Sequence, residues 1–187
     1  RDYRELLFRS EGMKGNIGGV ILFDETIRQY AADGTSLVDL ISSQGALPGI
    51  KVDKGLQPIG DSKESLTQGL EGLDERLKEY FTLGAKFTKW RAVINIDNLL
   101  PSSEAISANM QALADYAKVV QDNNMVPMVE PEVLMDGVHS IDDCYDATSR
   151  CLESLFSSLK DKKSAYQILK ILSELGSFEY QSDQENK

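Results

Sequence analysis

Charged residues recur two positions apart in three short stretches of this chain that are otherwise typical of strands. The stretches are GIKVD, KFTKWRAVINI and VPMVEPEVL, and the pairs are Lys51 with Asp53, Lys89 with Arg91, and Glu130 with Glu132. Side chains alternate across a strand, so each pair lies on one face of its strand. Because charged residues are almost never fully buried unless paired, the pattern predicts mutual pairing, a water-filled cavity, or both. An enzyme pocket is the simplest explanation.

The chemistry that such a pocket would perform follows from its charges. A pair of carboxylates beside two or three cations is typical of acid–base work on an anionic substrate. A lysine near other cations loses its proton more easily, which is how an amine becomes nucleophilic towards a carbonyl group. Glu130 or Glu132 would then transfer protons. A purely structural ion-pair network is the alternative that the pattern leaves open.

Four strands are expected to carry these residues. They lie at 18–23, 48–53, 89–96 and 126–133. The first, GGVILF, is rich in β-branched residues and led by glycine, which is typical of a strand buried on both faces. In the later strands the uncharged face is expected to be core, with Trp90 among its residues.

Amphipathic segments separate the strands and predict helices. The expected helices are 36–43, one with apolar residues from Leu66 to Tyr80, one with a stripe from Ile106 to Val120, and one opened by a capping pair, Ser140 with Asp143. The last is expected to bury Ile141 and Cys151. One helix followed by four strand–helix units predicts an α/β fold with parallel strands, whose functional groups gather at the carboxyl ends.

Composition excludes several classes of partner. The 187 residues are 41% hydrophobic and carry a formal net charge of -10, which argues against binding to nucleic acid or an anionic membrane. No apolar run approaches the roughly 20 residues that span a bilayer, and RDYRELLF lacks the apolar centre of a signal peptide. A cytoplasmic protein is therefore expected. Cys144 and Cys151 are interpreted as packing residues, without a disulfide or zinc site.

The motifs, taken together, resemble one family. GGVILF followed by DETI, then GIKVDKG, TQGLEGL, KFTKWRAVINI and VPMVEPEVLMDG resemble class I fructose-bisphosphate aldolase, in order and at similar spacings, from about Tyr3 to about Asp161. The resemblance implies a TIM barrel that reversibly cleaves fructose 1,6-bisphosphate into dihydroxyacetone phosphate and glyceraldehyde 3-phosphate. It also implies a lysine Schiff base, with no metal or other cofactor.

Roles for individual residues are implied by the same resemblance. Glu130 would be the acid–base group in carbinolamine dehydration, and Lys89 would stabilise charge beside the Schiff base and assist proton transfer. Lys51 and Arg91 would face the phosphate-bearing end of the substrate. Glu132 belongs to the same acidic pair.

Other residues of the matched motifs have less direct interpretations. Asp53 and Lys54 complete the GIKVDKG motif, and ordering the pocket is their expected role. His139, the single histidine, falls in the loop sequence GVHS and is interpreted as a surface residue. Oxygen ligation of a metal by the two glutamates would make a metal-dependent lyase, which is disfavoured because the resembled family needs no metal.

The chain offers fewer strands than a whole barrel. A TIM barrel needs eight strands and typically ~250 residues, whereas four to five strand–helix units are predicted here. We therefore expect a partial barrel over 1–163 and a divergent tail over 164–187. The family's first strand would precede residue 1, and its last strands, with their phosphate-binding turns, would follow residue 187.

The segment that carries the Schiff-base lysine in the resembled family differs in this chain. The family carries it in a segment of the type Gly-Thr-Ile-Leu-Lys-Pro, where this chain has YQILKILSELG. Lys170 is the candidate, but the helical spacing of Ile168, Leu172 and Leu175 favours a solvated helix residue instead. Little or no aldolase activity is therefore expected of the chain. The alternative is a non-catalytic remnant that binds sugar phosphates or associates with aldolase subunits, and a homo-oligomer is left open.

Overall fold

The computed structural model describes residues 1–97 and 99–162. Its helices are α1 Asp2–Phe8, α2 Asp24–Ile27, α3 Leu37–Ser43, α4 Leu73–Thr82, α5 Ser103–Asp122 and α6 Ile141–Asp161. Its strands are β1 Gly19–Leu22, β2 Leu47–Lys51, β3 Leu56–Pro58, β4 Ser65–Thr67, β5 Phe87–Ile94 and β6 Val126–Val133. Lys170 and the predicted tail 164–187 lie outside the described residues.

The main sheet has four parallel strands in the order β1-β2-β5-β6. Helices make each crossover between neighbouring strands, as parallel pairing requires. The predicted α/β series of one helix and four strand–helix units is therefore confirmed. The antiparallel hairpin of β3 and β4, inserted between β2 and α4, was not predicted.

The two longest helices begin at serine caps, and the second of these caps was predicted. Ser102 caps α5, its side chain accepting a hydrogen bond from the backbone N–H of Ala105. Ser140 and Asp143 form the expected capping box at the start of α6. The expectation that Ile141 is buried was wrong, since it is 85% exposed. It precedes the buried face of α6, whose first member is Ala147.

The helix expected from Leu66 begins later than its apolar spacing suggests. Leu66 lies in β4, and α4 starts only at Leu73. Between them, Gly69 and Gly72 have φ of 136° and 60°, which turn the chain and are conformations that other residues rarely adopt. The helix ends at Thr82, two residues after Tyr80, which is the last residue of the predicted apolar spacing.

The prediction for GGVILF was wrong in one respect. Leu22 is buried, but Ile21 and Phe23 are 40% and 61% exposed, so the strand is not covered on both faces. Within the described residues β1 has only β2 beside it. Ile21 and Phe23 alternate with the buried Leu22, so they lie on the opposite face, which lines an open cleft in the part of the chain that the structure describes.

The helices cover one face of the sheet and leave the other open. Ile50, Trp90 and Ala92 are buried on the helix-covered face, where the Trp90 ring lies 5.2 Å from that of Tyr116 in α5. The prediction that Trp90 is core is confirmed. The opposite face, called the inner face below, carries the residues that alternate with these along the strands.

Among the described residues, none of the helices is both long and apolar enough to cross a bilayer. Cys144 and Cys151 are not joined in a disulfide. Cys151 is packed in the core, and this burial raises the pKa of its thiol.

Candidate active site

Strand register brings the predicted residues together on the inner face. Lys51 of β2 is the register partner of Lys89 of β5. Arg91, two residues further along β5, is the register partner of Glu130 of β6. Glu132 follows on the same face of β6. Because all these strands are parallel, the charged side chains collect towards the carboxyl ends, as predicted.

Three ion pairs link the six charged side chains. Lys51 pairs with Asp53, and Arg91 pairs with Glu132. Lys89 Nζ lies 2.8 Å from Glu130 Oε2. Each of the two β5 cations pairs with a glutamate of β6 that lies two residues after its register partner. Lys89 is opposite Met128 and pairs with Glu130, and Arg91 is opposite Glu130 and pairs with Glu132. The like-charged neighbours Lys51 and Lys89 are therefore each offset by their own carboxylate.

The exposed fraction of the side chains differs across the cluster. The Asp53 side chain is 7% exposed, Lys89 is 24% exposed and Glu130 36%, whereas Arg91 and Glu132 are both 40% exposed. Solvent therefore screens the Arg91 pair more than the Asp53 pair. Within the described residues, Asp53 Oδ1 and Glu130 Oε2 are enclosed yet have no aligned hydrogen bond. These oxygens keep capacity to accept a hydrogen bond or a proton.

Lys51, Lys89, Arg91, Glu130 and Glu132 of this cluster line a cleft of about 780 Å³. Its wall combines the charged side chains of β2, β5 and β6 with apolar Ile21 and Phe23, and it reaches Thr148 of α6. This volume lies in the range of roughly 300–1,000 Å³ that small-molecule sites occupy. Cations at the wall suit a phosphorylated ligand, and the adjacent carboxylates suit proton transfer.

Two residues that the sequence analysis missed hold these strands in place. Arg76 of α4 donates hydrogen bonds to the carbonyl oxygens of Val52, at 3.0 Å, and Gly69, at 2.5 Å. Val52 lies between Lys51 and Asp53, so Arg76 fixes the backbone of that ion pair. No local spacing marks Arg76, because its partners are backbone atoms 24 and 7 residues away.

Tyr116 supports the two strands from beneath. Its hydroxyl lies 2.5 Å from Thr88 Oγ1 and donates at 3.3 Å to the Met128 carbonyl oxygen. Burial raises the pKa of Tyr116, so the hydroxyl stays neutral. Both partners are close in sequence to a site residue: Thr88 directly precedes Lys89, and Met128 lies two residues before Glu130.

Other candidates lie apart from the cluster. Lys54 is exposed, and His139 is half-buried in the loop before α6. His139 lines a separate cavity of about 700 Å³ with Asp146 and Arg150. Throughout the described ranges, no group of three His, Cys, Asp or Glu side chains converges to hold a metal ion.

Comparisons with known proteins agree on one family. A family model described as "Glycolytic: Fructose-bisphosphate aldolase class-I" matches residues 1–171. A probable fructose-bisphosphate aldolase class 1 of Xanthomonas axonopodis pv. citri is 53% identical over 163 residues, which are 87% of this chain and 49% of that protein. The Arabidopsis thaliana protein "Fructose-bisphosphate aldolase 6, cytosolic" is 49% identical over 162 residues, 86% of this chain and 45% of that protein.

A solved structure gives the same result. Fructose-bisphosphate aldolase from Plasmodium falciparum, solved in a complex with TRAP and a small molecule inhibitor, matches with a TM-score of 0.83 and 45% identity. The match covers 86% of this chain and 47% of that one. The expected partial TIM barrel is thus confirmed, with four parallel strands in the described residues. The chain spans about half the length of the curated relatives it matches. It belongs to the class I fructose-bisphosphate aldolase family.

Proposed function

We propose that this chain carries part of the substrate site of a class I fructose-bisphosphate aldolase. The reaction is the reversible cleavage of fructose 1,6-bisphosphate into dihydroxyacetone phosphate and glyceraldehyde 3-phosphate. One observation carries the proposal: three ion pairs lie side by side on the inner face, at the carboxyl ends of the strands, and five of their six residues line one cleft. The reaction itself is proposed from membership of the family.

Glu130 and Lys89 are proposed to handle protons and charge. Glu130 Oε2 lies 2.8 Å from Lys89 Nζ and is otherwise without an aligned partner in the described residues. A proton can therefore pass between Glu130 and a bound reactant without breaking a hydrogen-bonded network. Lys89 is placed to stabilise negative charge that develops on an oxygen atom of a bound reactant.

Lys51 and Arg91 are proposed to bind the phosphate-bearing end of the substrate. Both cations are at the wall of the cleft, and both already pair with a carboxylate, Asp53 and Glu132 respectively. An entering phosphate would compete with these carboxylates for the cations. We assign the carboxylates to orienting the cations before the ligand arrives, with Asp53 the more effective because its side chain is the more buried.

The identity of the lysine that would form the Schiff base is a separate proposal. Lys170 is the Schiff-base candidate from sequence and lies outside the described residues. Because its surrounding motif departs from the family pattern, we propose that the 187-residue chain binds sugar phosphate and has little or no lyase activity. No cofactor is required for the proposed reaction.

Borohydride trapping tests the lyase proposal. The chain is incubated with dihydroxyacetone phosphate, reduced with borohydride and analysed by mass spectrometry for an adduct on lysine. The expected result is no adduct. An adduct at Lys170, or cleavage of fructose 1,6-bisphosphate at a rate typical of the family, would overturn the inactive assignment.

Binding of dihydroxyacetone phosphate, measured by calorimetry, tests the site itself. Lys51→Met is expected to weaken binding about tenfold or more, since a charge-assisted hydrogen bond contributes about 1.5–3 kcal/mol. Lys118→Met is the matched control, because Lys118 forms a surface ion pair with Asp122 on α5, away from the cleft. Equal affinity for the two variants would contradict the assignment.

A non-catalytic role is the second candidate function. The same cations would bind sugar phosphates in a protein that associates with aldolase subunits, and binding without an adduct is its signature. For location, two plant relatives are named cytosolic or cytoplasmic, and we propose the cytoplasm here as well. The net charge of -10 supports a protein that does not bind nucleic acid.

A further inference from the structure

A second cavity lies beside the cleft on the inner face, at the ends of β1 and β2. Its volume is about 430 Å³, and its wall is formed by residues within 23–28, 51–54 and 76–80. These segments follow one another along the chain, from the end of β1 and α2, through the end of β2, to α4. Phe23 and Lys51 line both cavities. The second cavity is called the outer cleft below.

The wall of the outer cleft is more positive than the protein as a whole. Three carboxylates and four cations line it, and the cations are Arg28, Lys51, Lys54 and Arg76. The wall therefore has one positive charge in excess, whereas the formal net charge of the chain is -10. A local field of this sign attracts an anion to the cleft.

Each of the three carboxylates already has a cationic partner. Arg28 forms ion pairs with both Asp24 and Glu79. Lys51 pairs with Asp53, as described above. These pairs limit the repulsion that the carboxylates exert on an incoming anion, because each negative charge is offset by a nearby cation.

The other two cations form no ion pair within the described residues. Lys54 is exposed. Arg76 is half-buried, and its terminal nitrogens donate to the carbonyl oxygens of Val52 and Gly69. Its Nε–H is enclosed and has no acceptor in the part of the chain that the structure describes. A buried donor without an acceptor is unfavourable, so a ligand oxygen at this position would be stabilising.

The backbone around Gly69 brings Lys54 and Arg76 together. The Gly69 carbonyl oxygen accepts from Arg76 at 2.5 Å, and a Cβ at Gly69 would lie 3.1 Å from the backbone nitrogen of Lys54. That nitrogen donates to the Gln68 carbonyl oxygen at 2.7 Å. Both cationic side chains therefore start from backbone that is held together, and both line the outer cleft.

We propose that the outer cleft binds a phosphate group through Lys54 and Arg76. Phosphate has several acceptor oxygens, so one group can accept from the Arg76 Nε–H and from the Lys54 ammonium group together. Lys54 thereby gains a ligand contact, whereas the sequence predicted only that it orders the pocket. The site is separate from the one proposed for the lyase reaction, since neither cation lines the cleft on the inner face.

An NMR titration with inorganic phosphate, at constant ionic strength set by sodium chloride, tests the site. The Arg76 Nε signal is expected to shift and saturate. Lys54→Met is expected to raise the dissociation constant measured at Arg76 about fivefold or more, through loss of a charge-assisted hydrogen bond. Arg91 reports the inner-face cleft in the same spectra, and its response is expected to be unchanged by Lys54→Met.

Lys86→Met is the matched control. Lys86 is also exposed, but it directly precedes β5 and so lies at the opposite, amino end of the strands. The variant removes the same charge and is expected to leave the Arg76 titration unchanged. Circular dichroism checks that both variants are folded. Equal weakening by the two variants, or an Arg76 signal that does not respond to phosphate, would overturn the proposal.

Glycerol 3-phosphate is the second probe, and it distinguishes free phosphate from a phosphate ester. The proposed contacts are to the phosphate group alone, so similar dissociation constants are expected for the two probes. A response to the ester without one to inorganic phosphate would overturn the phosphate group as the feature recognised. A missing response at Arg91 alone would count against the site on the inner face and would leave the outer cleft supported.

Discussion

Gly49→Ala is expected to destabilise the protein by about 2 kcal/mol, through a clash at the base of the inner face. A Cβ at Gly49 would lie 2.5 Å from Cε1 of Phe87 and closer still to two other ring atoms. Carbon atoms pack best at about 3.5–4.0 Å, so the ring must move. Overpacking of this kind typically costs 1–3 kcal/mol. Backbone strain does not contribute, because Gly49 is not among the residues with positive φ.

Substitutions at two other glycines serve for comparison, because their Cβ atoms would be less crowded. At Gly19 a Cβ would be 3.0 Å from Phe87 Cε1 and 3.2 Å from the Leu47 carbonyl oxygen, so Gly19→Ala is expected to cost less. At Gly12 nothing lies within 4 Å and φ is not positive, so Gly12→Ala is the control. It is expected to stabilise by about 0.4–1 kcal/mol, because alanine restricts the unfolded chain.

The assay is urea unfolding followed by circular dichroism at one protein concentration, since association adds to apparent stability. The midpoint is expected to fall for Gly49→Ala with the slope m unchanged. Phe87→Ala removes the ring, so Gly49→Ala in that background is expected to cost less than about 0.5 kcal/mol. Equal losses in the two backgrounds, or no loss in either, would refute the packing argument.

Three further predictions concern single residues. A thiol reagent is expected to label Cys144 in the native protein and Cys151 only after denaturation, because burial raises the pKa of Cys151; mass spectrometry of labelled peptides checks this, and native labelling of Cys151 contradicts it. Ser102→Ala is expected to lower the free energy of unfolding by about 1–2 kcal/mol through loss of the α5 cap, measured by urea unfolding, and an unchanged midpoint contradicts it. Hydrogen bonding to Arg28 lowers the pKa of Asp24 in the folded state, so the stabilisation from ionised Asp24 is present above about pH 4 and is lost as the pH falls further. Urea unfolding at several pH values is expected to show that Asp24→Asn reduces the loss of unfolding free energy below about pH 4. The same pH dependence in the variant and the wild type would refute this.

Several elements could be predicted from sequence because their signals are local. β6 occupies the predicted residues 126–133, and the capping pair at Ser140 opens α6 as expected. The alternation around Trp90 correctly assigned the core face and the charged face of β5. In each case the determining residues are neighbours in sequence, within one strand or one turn of helix.

Other features depend on distant contacts and could not be predicted. The hairpin residue Glu64 is buried, and its carboxylate accepts hydrogen bonds from the backbone and hydroxyl of Ser102, 38 residues away. The alternation of side chains along each strand placed the charged residues on one face, but it could not predict which cation pairs with which carboxylate. That pairing follows the register of β5 and β6, which sets Lys89 opposite Met128 and within reach of Glu130.

The most direct test of the proposed site is an NMR titration of the chain with dihydroxyacetone phosphate, observing the side-chain nitrogens of lysine and arginine. The account predicts that Lys51, Lys89 and Arg91 shift together, while Arg150 in the separate cavity does not. Unchanged signals for the three inner-face cations, or shifts confined to Arg150, would contradict the account.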